Sequence, residues 1–240
     1  MSGEIQIEVL EDPAVECARL LSAAARGAGQ VVLTGGSTPA RAYSFCAERF
    51  ASDWQGAGIW FTDERCVEPD SELSNFGLIK RTLLDPLGAA GVTVGSCERM
   101  LGERGEAAAA EAYERSLHEA GFLSGPIGAE FDLVLIGVGS DGHICSMFPA
   151  QRSLNESERL VIGVPQAGLE PFVPRVTLTF AALARAKRVV VLATGAGKAD
   201  AISAAFAEDA PASEEIPASL LREHVRDLTV LLDEGAAARL

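Results

Sequence analysis

The sequence predicts an α/β protein with a mostly parallel sheet covered by helices, and three observations point there. Short, β-branched apolar runs recur along the 240 residues and alternate with stretches of helical periodicity. Each run ends in glycine and polar residues, the composition of a strand-to-helix turn. The most apolar run, Leu133 to Ile136, reads as a strand buried on both faces, which belongs in the middle of a parallel sheet. The length is accommodated by a single domain spanning residues 1–240.

Taken in order, Glu4 to Leu10 alternates apolar and polar residues as an edge or early strand does, and Pro13 opens a helix running to about Gly27. Gln30 to Thr34 is the next strand. Gly35, Gly36, Ser37, Thr38 and Pro39 follow it, and helical character resumes from Ala40 to Phe50. That turn offers pliable backbone, two hydroxyls and helix-terminal N–H groups, which suit a phosphate; an ordinary capped turn has the same outline. Gly58 to Thr62 reads as a buried strand delivering Asp63, Glu64 and Arg65 at its carboxyl end. An arginine there presents a permanently protonated fork to carbonyl or phosphate oxygens. Ser71 to Asn75 precedes an apolar helical pattern that runs through Leu84 and is stopped by Pro86, which sets Asn75 near the same rim. Val92 to Val94 reads as a strand and Glu106 to Ala120 as a surface helix.

After Ile136 come Gly137, Gly139, Ser140, Asp141, Gly142 and His143, at the strand end where open α/β sheets bind ligands. An Asp-Gly-His run in that place suits an oriented base. The three glycines also fit G-x-G-x-x-G, but Pro149 leaves room for barely two helical turns, which argues against a dinucleotide site. Ser140 lacks the nucleophile-elbow pattern, since Val138 stands where that motif needs glycine. Gln151 to Arg159 reads as loop and Leu160 to Val164 as strand. Arg175 then opens a strand whose alternation implies one buried face and one nearer solvent or ligand. Val189 to Ala193 is the last strongly apolar strand, and Thr194, Gly195, Gly197 and Lys198 lead into a helix through Phe206. A lysine in a first helical turn opposes the helix dipole, and a neighbouring anion explains it. Ala207 to Ala218 is an acidic, proline-bearing loop before a terminal strand at Leu228 to Leu232. In this arrangement Gly35–Pro39, Asp63–Arg65, Gly139–His143 and Gly195–Lys198 converge on one crevice.

Composition narrows the function classes. With 48% apolar and 22% charged residues, and no uninterrupted apolar run of about 18, no membrane span is expected. The opening residues lack the basic-then-apolar pattern of a secretory signal, so a cytoplasmic location is expected. A net charge of −14 repels nucleic acid, and an anionic ligand would need a local basic pocket. Five widely spaced cysteines contain no C-x-x-C, and three histidines lie far apart, so neither a disulfide framework nor a metal site is expected. Cys145, two residues from His143, reads as a small packing residue beside the site.

The segments TGGSTP, WFTDERCVEPDSELSNFG, FDLVLIGVGSDGHICSMFP, PRVTLT and TGAGK resemble, in order, those of the 6-phosphogluconolactonases, within the wider group related to glucosamine-6-phosphate deaminase. The resemblance spans most of the chain. It implies a three-layer α/β sandwich of Rossmann-like topology and cofactor-free hydrolysis of 6-phosphogluconolactone in the oxidative pentose phosphate pathway. It also implies a catalytic group of His143, Asp141 and Arg65, and a substrate-binding group of Gly35, Gly36, Ser37, Thr38, Asp63, Arg65, Arg175 and Lys198. An imidazole ordinarily titrates near pH 6.5, so His143 suits activation of water. Asp141 either orients the imidazole or shapes the turn, and Arg65 serves either catalysis or anchoring. Cys145 and Met147 replace small or leucine residues, and Ala150 replaces a glycine. The deaminase branch is similar around GGSTP and DGH, but its tyrosine after Asp-Glu is Arg65 here and its Asn-Glu-Pro after DGH is absent. That reaction is the alternative. A non-catalytic sugar-phosphate sensor is a further reading, but no basic helix-turn-helix flanks the domain.

Overall fold

The structure is a computed structural model that describes residues 4–123 and 127–240. Its strands are β1 (Glu4–Val9), β2 (Gln30–Leu33), β3 (Gly58–Phe61), β4 (Asp63–Arg65), β5 (Ser96–Cys97), β6 (Leu133–Ile136), β7 (Val161–Val164), β8 (Arg175–Leu178), β9 (Val189–Ala193) and β10 (Asp227–Leu232). Its α-helices are α1 (Pro13–Ala25), α2 (Ser37–Arg49), α3 (Asn75–Ile79), α4 (Asp85–Ala89), α5 (Glu106–Glu119), α6 (Phe180–Leu183), α7 (Ala199–Phe206) and α8 (Leu221–His224). None of the helices among the described residues is long and apolar enough to cross a membrane.

Seven strands form one parallel sheet in the order β1-β10-β9-β6-β2-β3-β5. The chain steps outward from β2 to β3 and β5, then returns to β6 on the other side of β2 and steps away through β9 to β10. This reversal leaves a crevice beyond the carboxyl ends of β2 and β6, the place where such sheets take ligands.

Side-chain alternation along the strands divides the apolar residues between two cores. Val32, Val134, Ile136, Val189 and Val191 pack with Tyr113 and Leu117 of α5, Phe180 of α6, Ile202 of α7 and Leu221 of α8. Val31, Leu33, Leu133, Leu135 and Val190 face the other way, onto Leu21 of α1, Tyr43 of α2, Ile79 of α3 and Leu87 of α4. The result is the expected three-layer sandwich. Tyr43 also fixes α2 against the end of β2: its hydroxyl accepts from the Thr34 N–H at 3.0 Å and donates to the Thr34 carbonyl at 2.6 Å.

Several expectations are corrected. Asp63–Arg65, expected as the carboxyl end of the preceding strand, forms a strand of its own, β4, which joins β8 and β7 in a second, antiparallel sheet of three strands. All four residues of β8 are buried, with α5 packed against the strand, so its alternation marks no solvent side; Arg175 instead lies at the crevice, the ligand side the sequence allowed. Pro86 does not stop the helix. A π-helical turn at Lys80–Leu84 connects α3 to α4, and its wider coil admits the proline in the first turn of α4, where a missing N–H costs little. The strand expected at Val92–Val94 lies instead at β5, and α8 arises beyond the stretch read as loop.

Candidate active site

At the crevice lies a cavity of about 260 Å³. Its base is built from the loop after β6. Gly142 takes φ +83, which only glycine adopts readily, and its N–H closes a turn on the Gly139 carbonyl at 3.1 Å. The Gly139 N–H donates to the His143 carbonyl at 2.8 Å. This turn brings His143 Nδ1 to 2.6 Å from Asp141 Oδ1, and the same oxygen accepts the His143 backbone N–H at 3.2 Å. Phe148 packs against the imidazole with ring centroids 4.7 Å apart. A side chain on Gly139 would place its Cβ 2.1 Å from His143 Nδ1 and 2.5 Å from Asp141 Oδ1, so the pair exists only because that residue is glycine. Burial pushes the Asp141 carboxyl up, but the hydrogen bond and charge of His143, with backbone N–H groups, outweigh it and hold the carboxyl below its usual value. With Nδ1 engaged, Nε2 is the ring nitrogen left for chemistry.

A second wall comes from β4 and α3. Asp63 is 4% exposed, and its carboxylate is fully engaged: Oδ1 accepts from Thr62 Oγ1 at 2.9 Å and Asn75 Nδ2 at 3.3 Å, and Oδ2 from Ser146 Oγ at 2.7 Å. It ties β4 to α3 and to the loop carrying His143. Glu64 points away from the cavity and holds the start of α3, accepting the N–H groups of Arg65, Asn75 and Phe76 and the Ser74 hydroxyl. Burial pushes its carboxyl up against the opposing pull of those donors.

Arg65 and Arg175 lie directly opposite one another in the β4–β8 ladder, where like charges repel. Arg65 Nη1 donates to the Leu73 carbonyl at 2.7 Å, while its buried Nε has no partner. Arg175 donates from Nε to the Val173 carbonyl at 3.2 Å and from Nη2 to the Pro171 carbonyl at 2.8 Å. Burial, and then the Arg65 charge, lower the Arg175 guanidinium's affinity for its proton. Neither arginine forms an ion pair among the described residues.

The third wall joins the ends of β2 and β9. A Cβ on Gly35 would lie 1.8 Å from Asn75 Oδ1, and Gly36 takes φ +114 as it leads into α2. These two glycines let the backbone enter the cavity edge and start a 13-residue helix there with Ser37 and Thr38, which has no side-chain cap over its first N–H groups. Thr38 Oγ1 lies 2.8 Å from Thr194 Oγ1 beyond β9. Lys198, in the 3₁₀ turn before α7, is half-buried; burial lowers its ammonium pKa and the nearby Asp141 partly restores it.

The cavity thus gathers Gly35, Gly36, Ser37, Thr38, Asp63, Arg65, His143, Arg175 and Lys198, with Asn75 on the same rim. Asp141 stands behind His143 and does not line the cavity. Thr194 carries a sequence expectation only as part of the turn after the last apolar strand, and Ser146 and Leu169 carry none of their own. Ser146 and Thr194 sit inside motifs already noted, whereas Leu169 reaches the wall from a loop with no motif.

A switch-point cavity that sets an imidazole–carboxylate pair beside cations has the chemistry for proton transfer on a small anionic ligand. Residues 7–230 match the family described as glucosamine-6-phosphate isomerases/6-phosphogluconolactonase, and the chain belongs to that family. The 6-phosphogluconolactonase of Mycobacterium tuberculosis is 34% identical over 250 residues, covering 100% of this chain and 99% of the relative. That of Streptomyces coelicolor is 35% identical over 224 residues, covering 90% and 84%. The solved 6-phosphogluconolactonase from Trypanosoma cruzi superposes with a TM-score of 0.80 at 27% identity, covering 100% of this chain and 98% of that one.

Proposed function

We propose that this chain hydrolyses 6-phospho-D-glucono-1,5-lactone to 6-phospho-D-gluconate, the lactone-opening step of the oxidative pentose phosphate pathway. The observation that carries the reading is the His143–Asp141 pair, set at 2.6 Å in a cavity whose other walls carry Arg65, Arg175 and Lys198. Neutral His143 takes a proton from water through Nε2 as the water oxygen bonds to the lactone carbonyl carbon. Collapse of the tetrahedral intermediate breaks the bond to the ring oxygen, and the imidazolium returns its proton to that oxygen as it leaves. Asp141 holds the Nδ1–H tautomer and stabilises the imidazolium without itself being protonated.

Lys198, Arg175 and the start of α2 at Gly36, Ser37 and Thr38 bind the phosphate, combining charge with backbone N–H groups. The Arg65 guanidinium, on the cavity wall, serves the substrate oxygens near the reacting carbon. Asp63 positions the walls through its bonds to Asn75 and Ser146. The chemistry requires no cofactor. The proposed setting is the cytoplasm, where five free cysteines stay reduced.

Proton release on adding freshly prepared 6-phosphogluconolactone tests the reading, with ammonia release from glucosamine 6-phosphate measured in parallel. Acid production above the spontaneous rate, without ammonia, is the expected result. Ammonia release without lactone opening would move the chain to the deaminase reaction.

A further inference from the structure

No hydrogen bond or ion pair holds the Lys198 ammonium among the described residues, so the turn beneath it sets where it points. That turn begins at Gly195, with φ +89 and ψ 147, a conformation that belongs almost entirely to glycine. The Gly195 carbonyl accepts the Lys198 backbone N–H at 3.0 Å. On its other side, the Gly195 N–H donates to both carboxylate oxygens of Asp233, each at 2.9 Å. Asp233 Oδ1 also takes the Ala236 N–H at 2.7 Å, which fixes the carboxylate from behind. Gly235 is pressed against the same turn, since a Cβ there would lie 3.0 Å from the Ala196 nitrogen. The two segments meet because β10 runs beside β9, with Leu232 opposite Ala193.

We propose that Asp233 is a positioning residue for the reaction, holding through the Gly195 N–H the turn that aims Lys198 into the cavity. The inference rests on the reading of Lys198 as a phosphate ligand. It has a sign that electrostatics alone would reverse. A carboxylate beside an anion site repels the anion, so if only its field mattered, neutralising it would tighten substrate binding. If it positions the turn, neutralising it loosens Lys198 and weakens binding. Asparagine at this position turns one acceptor into an amide donor facing the Gly195 N–H.

The test compares Asp233→Asn, Lys198→Ala and the double variant on 6-phosphogluconolactone and on gluconolactone lacking the phosphate, with calorimetric Kd values for 6-phosphogluconate. Asp233→Asn is expected to raise KM for the phosphorylated lactone and Kd for the product by roughly tenfold, with kcat changing less than about twofold, the scale of one misaligned charge-assisted hydrogen bond. In the Lys198→Ala background it should add nothing, because both changes remove the same interaction. Asp233→Glu keeps the charge but displaces the carboxylate, and is expected to raise KM in the same direction; it decides the matter if the asparagine variant does not fold. An unchanged or lowered KM in Asp233→Asn, or equal losses on both lactones, would overturn the positioning role. Equal losses on both lactones in Lys198→Ala would instead overturn the phosphate role of that lysine.

Discussion

In the proposed reaction, reactivity depends on three neighbouring residues, Gly139, Asp141 and His143. A methyl group on Gly139 would overlap both members of the pair, at 2.1 and 2.5 Å, so Gly139→Ala is expected to push the imidazole off its carboxylate. Misplacement of about 1 Å at a reacting group costs on the order of 100-fold, and a loss of that size in kcat/KM, with an unchanged circular dichroism spectrum, is the expected outcome. Full activity in this variant would mean that the pair is not needed in its observed geometry. Asp141 supplies a second check. Its folded value lies below the ordinary carboxylate value of about 3.9, so its contribution to stability is present above that pH and is lost as pH falls through the lower folded value. The difference in denaturation midpoint between the wild type and Asp141→Asn should therefore close on strong acidification. A difference that instead opened below about pH 4 would reverse the assigned direction.

At the scale of elements, the loop after β6 carries a cost that the resemblance had already marked. Ala150 stands where a glycine is usual, and it takes φ +55, a left-handed conformation that opposes any side chain. Cys145, another substituted position and one that lines the cavity, takes φ +53. Relief of the strain at Ala150 exceeds the greater freedom glycine has in the unfolded chain. Ala150→Gly is thus expected to stabilise the protein by about 0.5–1 kcal/mol, read as a higher urea midpoint at constant m-value. A lower midpoint would show that the loop had adapted to alanine. The strands were legible because their apolar runs and glycine ends are local signals. The antiparallel β4–β8–β7 sheet was not, since it joins Asp63 to Thr177 and Arg65 to Arg175 across more than a hundred residues, and no local pattern records such a pairing. Pro86 misled for a related reason: a π turn made room for it, and helix-stop rules assume regular α geometry.

For the molecule as a whole, the order in which the chain adds strands to the parallel sheet reverses between β2 and β6, and that reversal is why four motifs far apart in sequence form one cavity. Those motifs were readable as separate strand ends. Their division of labour was not: Asp63 is engaged by three neighbours, and Asp233 reaches the Lys198 turn from beyond the last strand. Within a chain of net charge −14, this cavity gathers Arg65, Arg175 and Lys198, the local attraction that the proposed anionic substrate needs. Among the described residues no cluster of three or more histidine, cysteine or carboxylate side chains has the arrangement of a metal site. Turnover is expected to be unchanged by a strong chelator, and a loss restored by one divalent metal would contradict the water-activation chemistry assigned to His143.

The most direct test of that chemistry measures binding and turnover together in His143→Asn. Asparagine retains hydrogen-bonding capacity but cannot take up the proton. The account predicts a folded variant that binds 6-phosphogluconate within a few-fold of wild type and loses roughly 100- to 10,000-fold of the rate above spontaneous hydrolysis, the range supplied by a general base. A folded, ligand-binding His143→Asn protein that opens the lactone at close to the wild-type rate would contradict the account.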